Sequence, residues 1–333
     1  MAKGEEILLV SQGHRQPPPS TVLQILHEAA KLTGRSWKPL LSIFLILLLP
    51  YSFVFLGNYL TITPLVLDMA KKLFMMSSKD PRSPEFRELL AAAVEDLRGI
   101  TGAEVASMLV SNLLSLLLVM ATVYTVAMAG RGIQVSLKDL LSRMRTWKGP
   151  VATWLYIHLL GSGYTTAWFI LIGVSAFLSH GSVAVLAVSA VIAILAFLLL
   201  VYLQVVWNEG LVVSVVEGDF YGLAALGRAS ELIQGRRILG FRVNLIFMLM
   251  GVIWGGAYSF VNNLLPPSEN MRLASQLIFL YANMLLIMFM LAAYVVLYYE
   301  CKKSHGEELV TGGGLVYTRV PTAAPATLGG ALP

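Results

Sequence analysis

Charge is what this sequence has least of. Only 13% of its 333 residues are Asp, Glu, Lys or Arg, while 57% are hydrophobic; an ordinary soluble domain carries about 25% charged residues. A soluble globule needs a charged surface free of large apolar patches, so this balance excludes one. Cysteine is nearly absent: Cys301 stands alone, which excludes a disulfide framework and a cysteine-built zinc site. No Asn-X-Ser/Thr sequon occurs, so glycosylation cannot report topology. No secretory signal peptide is visible either. The first 36 residues are polar and interrupted by Pro17-Pro18-Pro19, and the first apolar run is too long for a cleaved signal core, so it is expected to act as a signal anchor. Catalytic constellations are missing as well. There is no pair of intramembrane carboxylates, no His-rich metal box and no Gly-X-Ser-X-Gly elbow, and Gly161-Ser162-Gly163 lacks that context. The residues therefore point to no catalytic, metal or cofactor site, and the chain is expected not to be an enzyme.

What is present is apolar length. Six stretches, at about 39–63, 105–129, 151–178, 183–207, 241–263 and 274–299, each supply the roughly 20 helical residues that cross a bilayer core of about 30 Å. Within these limits Arg242 is the one formally charged side chain. The fold class that follows is an all-α integral membrane protein, because a helix satisfies its own backbone polar groups in lipid. The domain plan is a tail at 1–19, a six-span membrane domain at 20–303 and a tail at 304–333, both tails expected to be disordered.

Seventeen of the 24 lysines and arginines fall in the N-terminal tail, the second and fourth connections and the C-terminal tail. This bias places both termini and those connections in the cytosol, in a multi-pass protein of the endoplasmic reticulum, other endomembranes or the plasma membrane. The net charge of +5 is then juxtamembrane and favours anionic lipid headgroups. No soluble basic domain exists to bind nucleic acid.

Along the chain, Ser20 reads as the cap of a helix through Leu32, ended by Gly34. Pro50 is expected to kink the first span. In the first connection, Ser83-Pro84-Glu85 starts a helix whose Phe86, Leu89, Leu90, Ala93, Val94 and Leu97 give it an apolar face, expected to rest on the outer membrane surface. Leu137, Leu140, Leu141 and Met144 form a narrow apolar stripe opposite basic residues, the pattern of an in-plane helix. His158 in the third span is expected to be neutral and bonded to a neighbouring helix, while Gly161 and Gly163 permit close helix approach. Gly251 and Gly255 have the spacing of a tight helix contact, within the chain or in a homodimer. Cys301 stands at a juxtamembrane position suited to palmitoylation, or is a free thiol.

The polar stretch from Trp207 to Phe241 organises the second half. Asp219 is expected to cap a helix through Gln234, Gly235 to take the left-handed position after it, and Arg228 to pair with Glu231. Leu211–Val216 either prolongs the fourth helix or dips back into the membrane. Glu217 would then be partly buried and paired with Arg236, Arg237 or Arg242. Ser20–Pro39, Val135–Pro150 and Phe220–Phe241 share one plan, a short amphipathic helix with Gly and adjacent bases before a span. This gives three helical hairpins, each introduced by an in-plane cytosolic elbow helix.

The residues Val212-Val213-Ser214-Val215-Val216-Glu217, Tyr221-Gly222-Leu223-Ala224-Ala225-Leu226 and Ser230-Glu231-Leu232-Ile233-Gln234-Gly235-Arg236-Arg237 resemble a family of six-span plant membrane proteins of unassigned function. They are more distantly similar to the membrane domain attached to some bacterial glycerophosphodiester phosphodiesterases. The resemblance implies the six-span architecture; the catalytic barrel, which needs about 250 residues, is absent. The expected role is membrane organisation or interaction through the basic elbows, with Arg236, Arg237, Arg242 and Glu217 contacting lipid or a partner. The expected partners are membrane lipids, a cytosolic protein or a second copy. The alternative is a transporter or channel for a small or lipid-like solute, built around His158, Asn208 and Glu217.

Overall fold

The computed structural model describes residues 21–307 apart from 145–146, 179–181 and 265–267. The expected tails at 1–19 and beyond 307, the cap at Ser20 and the short turn after Leu178 lie outside these residues. The described chain is helical, without strands. Helix α1 (Val22–Arg35) opens on a capping box. Thr21 Oγ1 accepts from the Gln24 N–H at 3.4 Å, and Gln24 Oε1 accepts from the Thr21 N–H at 2.8 Å, so two otherwise orphaned donors are satisfied reciprocally. Then follow α2 (Trp37–Met76), α3 (Pro84–Gly130), α4 (Leu137–Met144), α5 (Lys148–Leu178), α6 (Val183–Val216), α7 (Leu223–Ile233), α8 (Arg237–Leu264) and α9 (Glu269–Ser304). Helices α2, α3, α5, α6, α8 and α9 are long and apolar enough to cross a membrane. Many large apolar side chains on them are exposed, among them Phe177 at 77%, Val252 at 72% and Ile253 at 71%, the kind of surface that marks contact with lipid or with a partner.

The first connection differs from the expectation. There is no separate surface helix. Helix α2 runs through Pro50 and Pro64 to Met76, and α3 runs unbroken from Pro84 to Gly130. At 1.5 Å per residue these 40- and 47-residue helices measure about 60 and 70 Å, well beyond a bilayer core of about 30 Å. The apolar face read at Phe86–Leu97 is real, but part of it turns toward α2 instead of lipid: Ala93 and Asp96 are buried. Lys72 on α2 closes the pair, bonding Asp96 on α3 at 2.6 Å and Asp68 on its own helix at 2.8 Å. The two extensions form a stalk.

Helix α2 packs along α3 and α5 along α6, whereas α8 divides its contacts between α6 and α9. The core gathers around α9, where Leu291 to Tyr298 is buried without interruption. Helix α1 inserts Ile25 and Ala29 beside it, and α3 contributes Leu118, Val123 and Val126. The three short helices α1, α4 and α7 thus dock on the bundle. Among the described side chains of α4, Leu140 is buried while Leu141 is 61% exposed, so these two positions of the expected stripe face opposite ways.

Candidate functional site

The polar stretch folds as a continuation of α6 followed by a turn and α7. Leu211–Val216 prolongs α6 and does not leave it; Val212 and Val213 are fully buried. The turn depends on two glycines with positive φ, Gly218 at 74° and Gly222 at 60°, a region open to glycine without steric cost. The Gly222 N–H donates to Thr153 Oγ1 at 2.8 Å, which fastens the turn to α5. This corrects two expectations. Asp219 does not cap α7, whose N-cap is Gly222 with no side-chain bond. Gly235 is not left-handed; the chain passes from α7 to α8 through a tight turn in which the Arg236 N–H bonds Ile233 O at 2.8 Å.

Glu217 stands at the end of α6 and is the hub of a charged network. Tyr298 Oη donates to its Oε1 at 2.7 Å and Lys302 Nζ to the same oxygen at 3.0 Å. Arg228 Nε lies 3.7 Å from its other oxygen. Arg228 in turn donates through Nη2 to both oxygens of Glu307, at 2.6 Å to Oε2, and Lys302 Nζ lies 3.6 Å from Glu307. The expected Arg228–Glu231 pair is present but long, at 3.8 Å. The partners expected for Glu217 were Arg236, Arg237 or Arg242; the structure brings Arg228 and Lys302 instead. The reason is tertiary. Tyr298 and Lys302 are one turn apart on α9, and α9 packs on α6 and α7, whereas Arg237 and Arg242 are exposed on α8. Glu307 belongs to the segment expected to be a free tail, yet it closes the network. Its bond to Arg228 and the nearby charges of Glu307, Glu217 and Glu231 hold the guanidinium pKa above its usual value despite partial burial. Burial pushes the Glu307 carboxyl upward, but Arg228 and Lys302 outweigh it and hold it below the usual carboxylate range.

Deeper in the bundle lies a neutral polar cluster that the sequence did not reveal. Tyr294 Oη donates to Asn244 Oδ1 at 2.7 Å, and Asn244 Nδ2 donates to Val201 O at 2.8 Å. Beside Asn208, Glu209 is 2% exposed, and its Oε1 has no hydrogen-bond partner among the described residues. The i, i+4 spacing of Tyr294 and Tyr298 on a buried face was the available signal. Glu209 lies two residues beyond the apolar run that ends at Trp207, and only the continuation of α6 to Val216 carries it into the bundle.

The remaining candidates are scattered. His158 is exposed, lies tilted against Trp154 with ring centres 3.9 Å apart and pairs through Nδ1 with Trp154 O at 3.0 Å, so it bonds its own helix and not a neighbour. Gly251 and Gly255 meet no other helix among the described residues: a Cβ at either would touch nothing within 4 Å. Close approach falls instead at Gly240, Gly210 and Gly130, where a Cβ would lie 2.8 Å from Val205, 2.5 Å from Leu226 and 2.7 Å from Tyr299. Cys301 is 1% exposed on the inward face of α9, so its thiol is turned away from any acylating enzyme. A cleft of about 370 Å³ opens beside the junction, lined by Tyr124, Leu140, Gly149, Ser214, Glu217 and Asp219. Among the described residues no three His, Cys, Asp or Glu side chains come together to hold a metal ion.

These features define a class: an all-helical protein with six helices long and apolar enough to span a membrane, joined by short docked helices around a partly buried charged hub. The chain belongs to the family DUF8558, described as a domain of unknown function, whose model matches residues 20–312. No curated protein and no solved structure matches it.

Proposed function

We propose that this chain is a non-catalytic multi-pass protein of the endomembranes or plasma membrane that organises lipid at its cytosolic face. In this reading the six long helices form three hairpins, both termini are cytosolic, and α1, α4 and α7 lie in the headgroup plane as elbows. The six-span plan in this reading is the architecture that the plant-family resemblance implies. The observation that carries the proposal is a division among the cations. Arg228 and Lys302 are occupied by Glu217 and Glu307. Arg237 and Arg242 are exposed and have no ion pair among the described residues, and Arg35, Lys38 and Lys138 are exposed on or beside the other elbows. Trp37 and Trp147 are 55% and 49% exposed where the first and third long helices begin, as interfacial anchors are. Exposed cations at headgroup depth gain about 1 kcal/mol each from anionic lipid.

The test is thermal unfolding of the detergent-solubilised protein with added dioleoylphosphatidylserine or dioleoylphosphatidylcholine. The anionic lipid should raise the midpoint more than the zwitterionic one, and Arg237→Ala with Arg242→Ala should remove most of the difference. Equal shifts from both lipids, or an unchanged response in the double variant, would overturn the proposal. Protease protection of tagged tails tests the topology, which a protected C-terminus would sink.

A second reading, a transporter coupled to protons or cations, is favoured by Glu209, a buried carboxyl with an unpartnered oxygen in one of the six long helices. Such groups mark ion and proton pathways by default. Proteoliposome flux driven by a pH gradient, abolished by Glu209→Gln, would establish it; absence of flux under all imposed gradients would dismiss it.

A further inference from the structure

At the end of the bundle remote from the elbow helices, α2, α8 and α9 enclose a cleft of about 400 Å³. Its walls are Phe55, Asn58, Tyr59, Ile62 and Thr63 from α2, Tyr258 from α8, and Gln276, Phe279, Leu280 and Asn283 from α9. Two features set it apart. Asn58 Oδ1 and Gln276 Oε1 are buried acceptors with no hydrogen-bond partner among the described residues, although several polar side chains on the same three helices are paired. Ser52 and Tyr281 share a hydrogen bond of 2.7 Å, and Ser275 donates to Asn262 Oδ1 at 3.0 Å. Buried acceptors without partners are costly and uncommon. The second feature is an aromatic wall: Trp254 stacks on Phe279 with ring centres 5.4 Å apart, and Tyr258 lies 4.4 Å from the same ring.

We infer that this cleft binds a neutral lipid through a free hydroxyl headgroup. The unpaired amide oxygens require a hydrogen-bond donor. No Lys, Arg, Asp, Glu or His lines the cleft, so a phosphate or ammonium group would be buried without a counter-charge, at heavy cost. Phe55, Ile62, Phe279 and Leu280 accept an apolar body. The approach is apolar too, since Leu60 and Ile278 beside the cleft are 62% and 67% exposed. The ligand therefore arrives from the lipid phase and not from water. A lipid alcohol of the diacylglycerol type meets all of these conditions.

The probe is dioleoylglycerol, added to the detergent-solubilised full chain and counted by native mass spectrometry. One molecule per chain should bind. Its 3-O-acetyl analogue, which lacks the donor, should bind about ten-fold more weakly, as loss of a buried hydrogen bond implies. Free glycerol should not compete. The double variant Asn58→Leu/Gln276→Leu should unfold at the same or a higher temperature than the parent, because it removes two unsatisfied oxygens, and should lose the hydroxyl preference. Equal binding of the acetyl analogue, competition by glycerol, or unchanged binding by the double variant would each overturn the inference. So would a pattern in which Asn58→Leu alone destabilises the chain and the double variant restores it without altering binding, because the two amides would then be serving only each other.

Discussion

The two ends of the molecule both use ion pairs, but they use them differently. In the stalk, Lys72 bonds Asp68 four residues before it and Asp96 across one hairpin, and Lys79 meets Glu85 at 2.5 Å across the turn itself. Every partner is close in sequence, and the Lys79–Glu85 pair is 44% and 65% exposed. At the elbow junction, Glu217, Arg228, Lys302 and Glu307 come from α6, α7, α9 and the segment after α9, and three of their side chains are 12 to 21% exposed. The Lys79–Glu85 pair closes a local turn and remains screened by solvent, whereas the Lys72–Asp96 pair, at 19% and 11% exposure, is as buried as the junction. The junction network ties the α6–α7 region to the end of α9, 79 to 85 residues away in the chain, so losing one member leaves a partly buried charge behind. An exposed pair contributes little; breaking a buried one is expensive.

Glu217→Gln should break this contrast most severely. It removes the charge shared by Lys302 and Arg228 and is expected to cost about 3 kcal/mol, read as a large drop in the thermal midpoint of the solubilised protein. A drop no larger than that of a stalk variant would mean that the two networks are equivalent. Next comes packing at the same junction. Gly240→Ala forces a Cβ to within 2.8 Å of Val205, which should cost about 1 to 3 kcal/mol in strain, whereas Gly251→Ala, with nothing within 4 Å, should leave the midpoint unchanged. Below these, Asp96→Asn should lower the midpoint less than Glu217→Gln does, because Lys72 keeps Asp68. Smallest of all is Lys79→Gln, whose effect should vanish in high salt.

Acid sharpens the comparison through Glu307. Its carboxyl pKa is lowered in the folded chain, so its contribution is fully present above the unfolded value of 4.5 and is lost as pH falls through the lowered folded value. The midpoint difference between the parent and Glu307→Gln should therefore shrink as pH falls from about 6 to 3. A difference that stays constant over that range would show that Glu307 is not held by Arg228 and Lys302.

How far the sequence could be read follows from the same local-versus-distant contrast. The six long apolar helices, the three short amphipathic ones and the partial burial of Glu217 were legible, because each depends on periodicity or composition within one segment. Helix ends were less so. Pro64 read as a boundary although the helix runs through it, and Trp207 read as the end of a span although α6 continues for another nine residues to Val216. Proline and polar residues weaken a helix locally, but packing against α3 and α9 overrides that weakness. The partner of Glu217 was illegible: three nearby arginines offered themselves, and only the placement of α9 brings Lys302 and Tyr298 there.

The sequence by itself determined that this protein is a bundle of long apolar helices, because charge scarcity and 20-residue hydrophobic runs leave few alternatives. It also determined where the short amphipathic helices would form, since their apolar positions recur at helical spacing. Only the tertiary structure decided which charges are spent inside and which remain outside, why Gly240 and not Gly251 sits at a close contact, and that Asn58 and Gln276 share a cleft. Those facts depend on contacts between residues far apart in the chain, and nothing in the local pattern of either partner specifies the other.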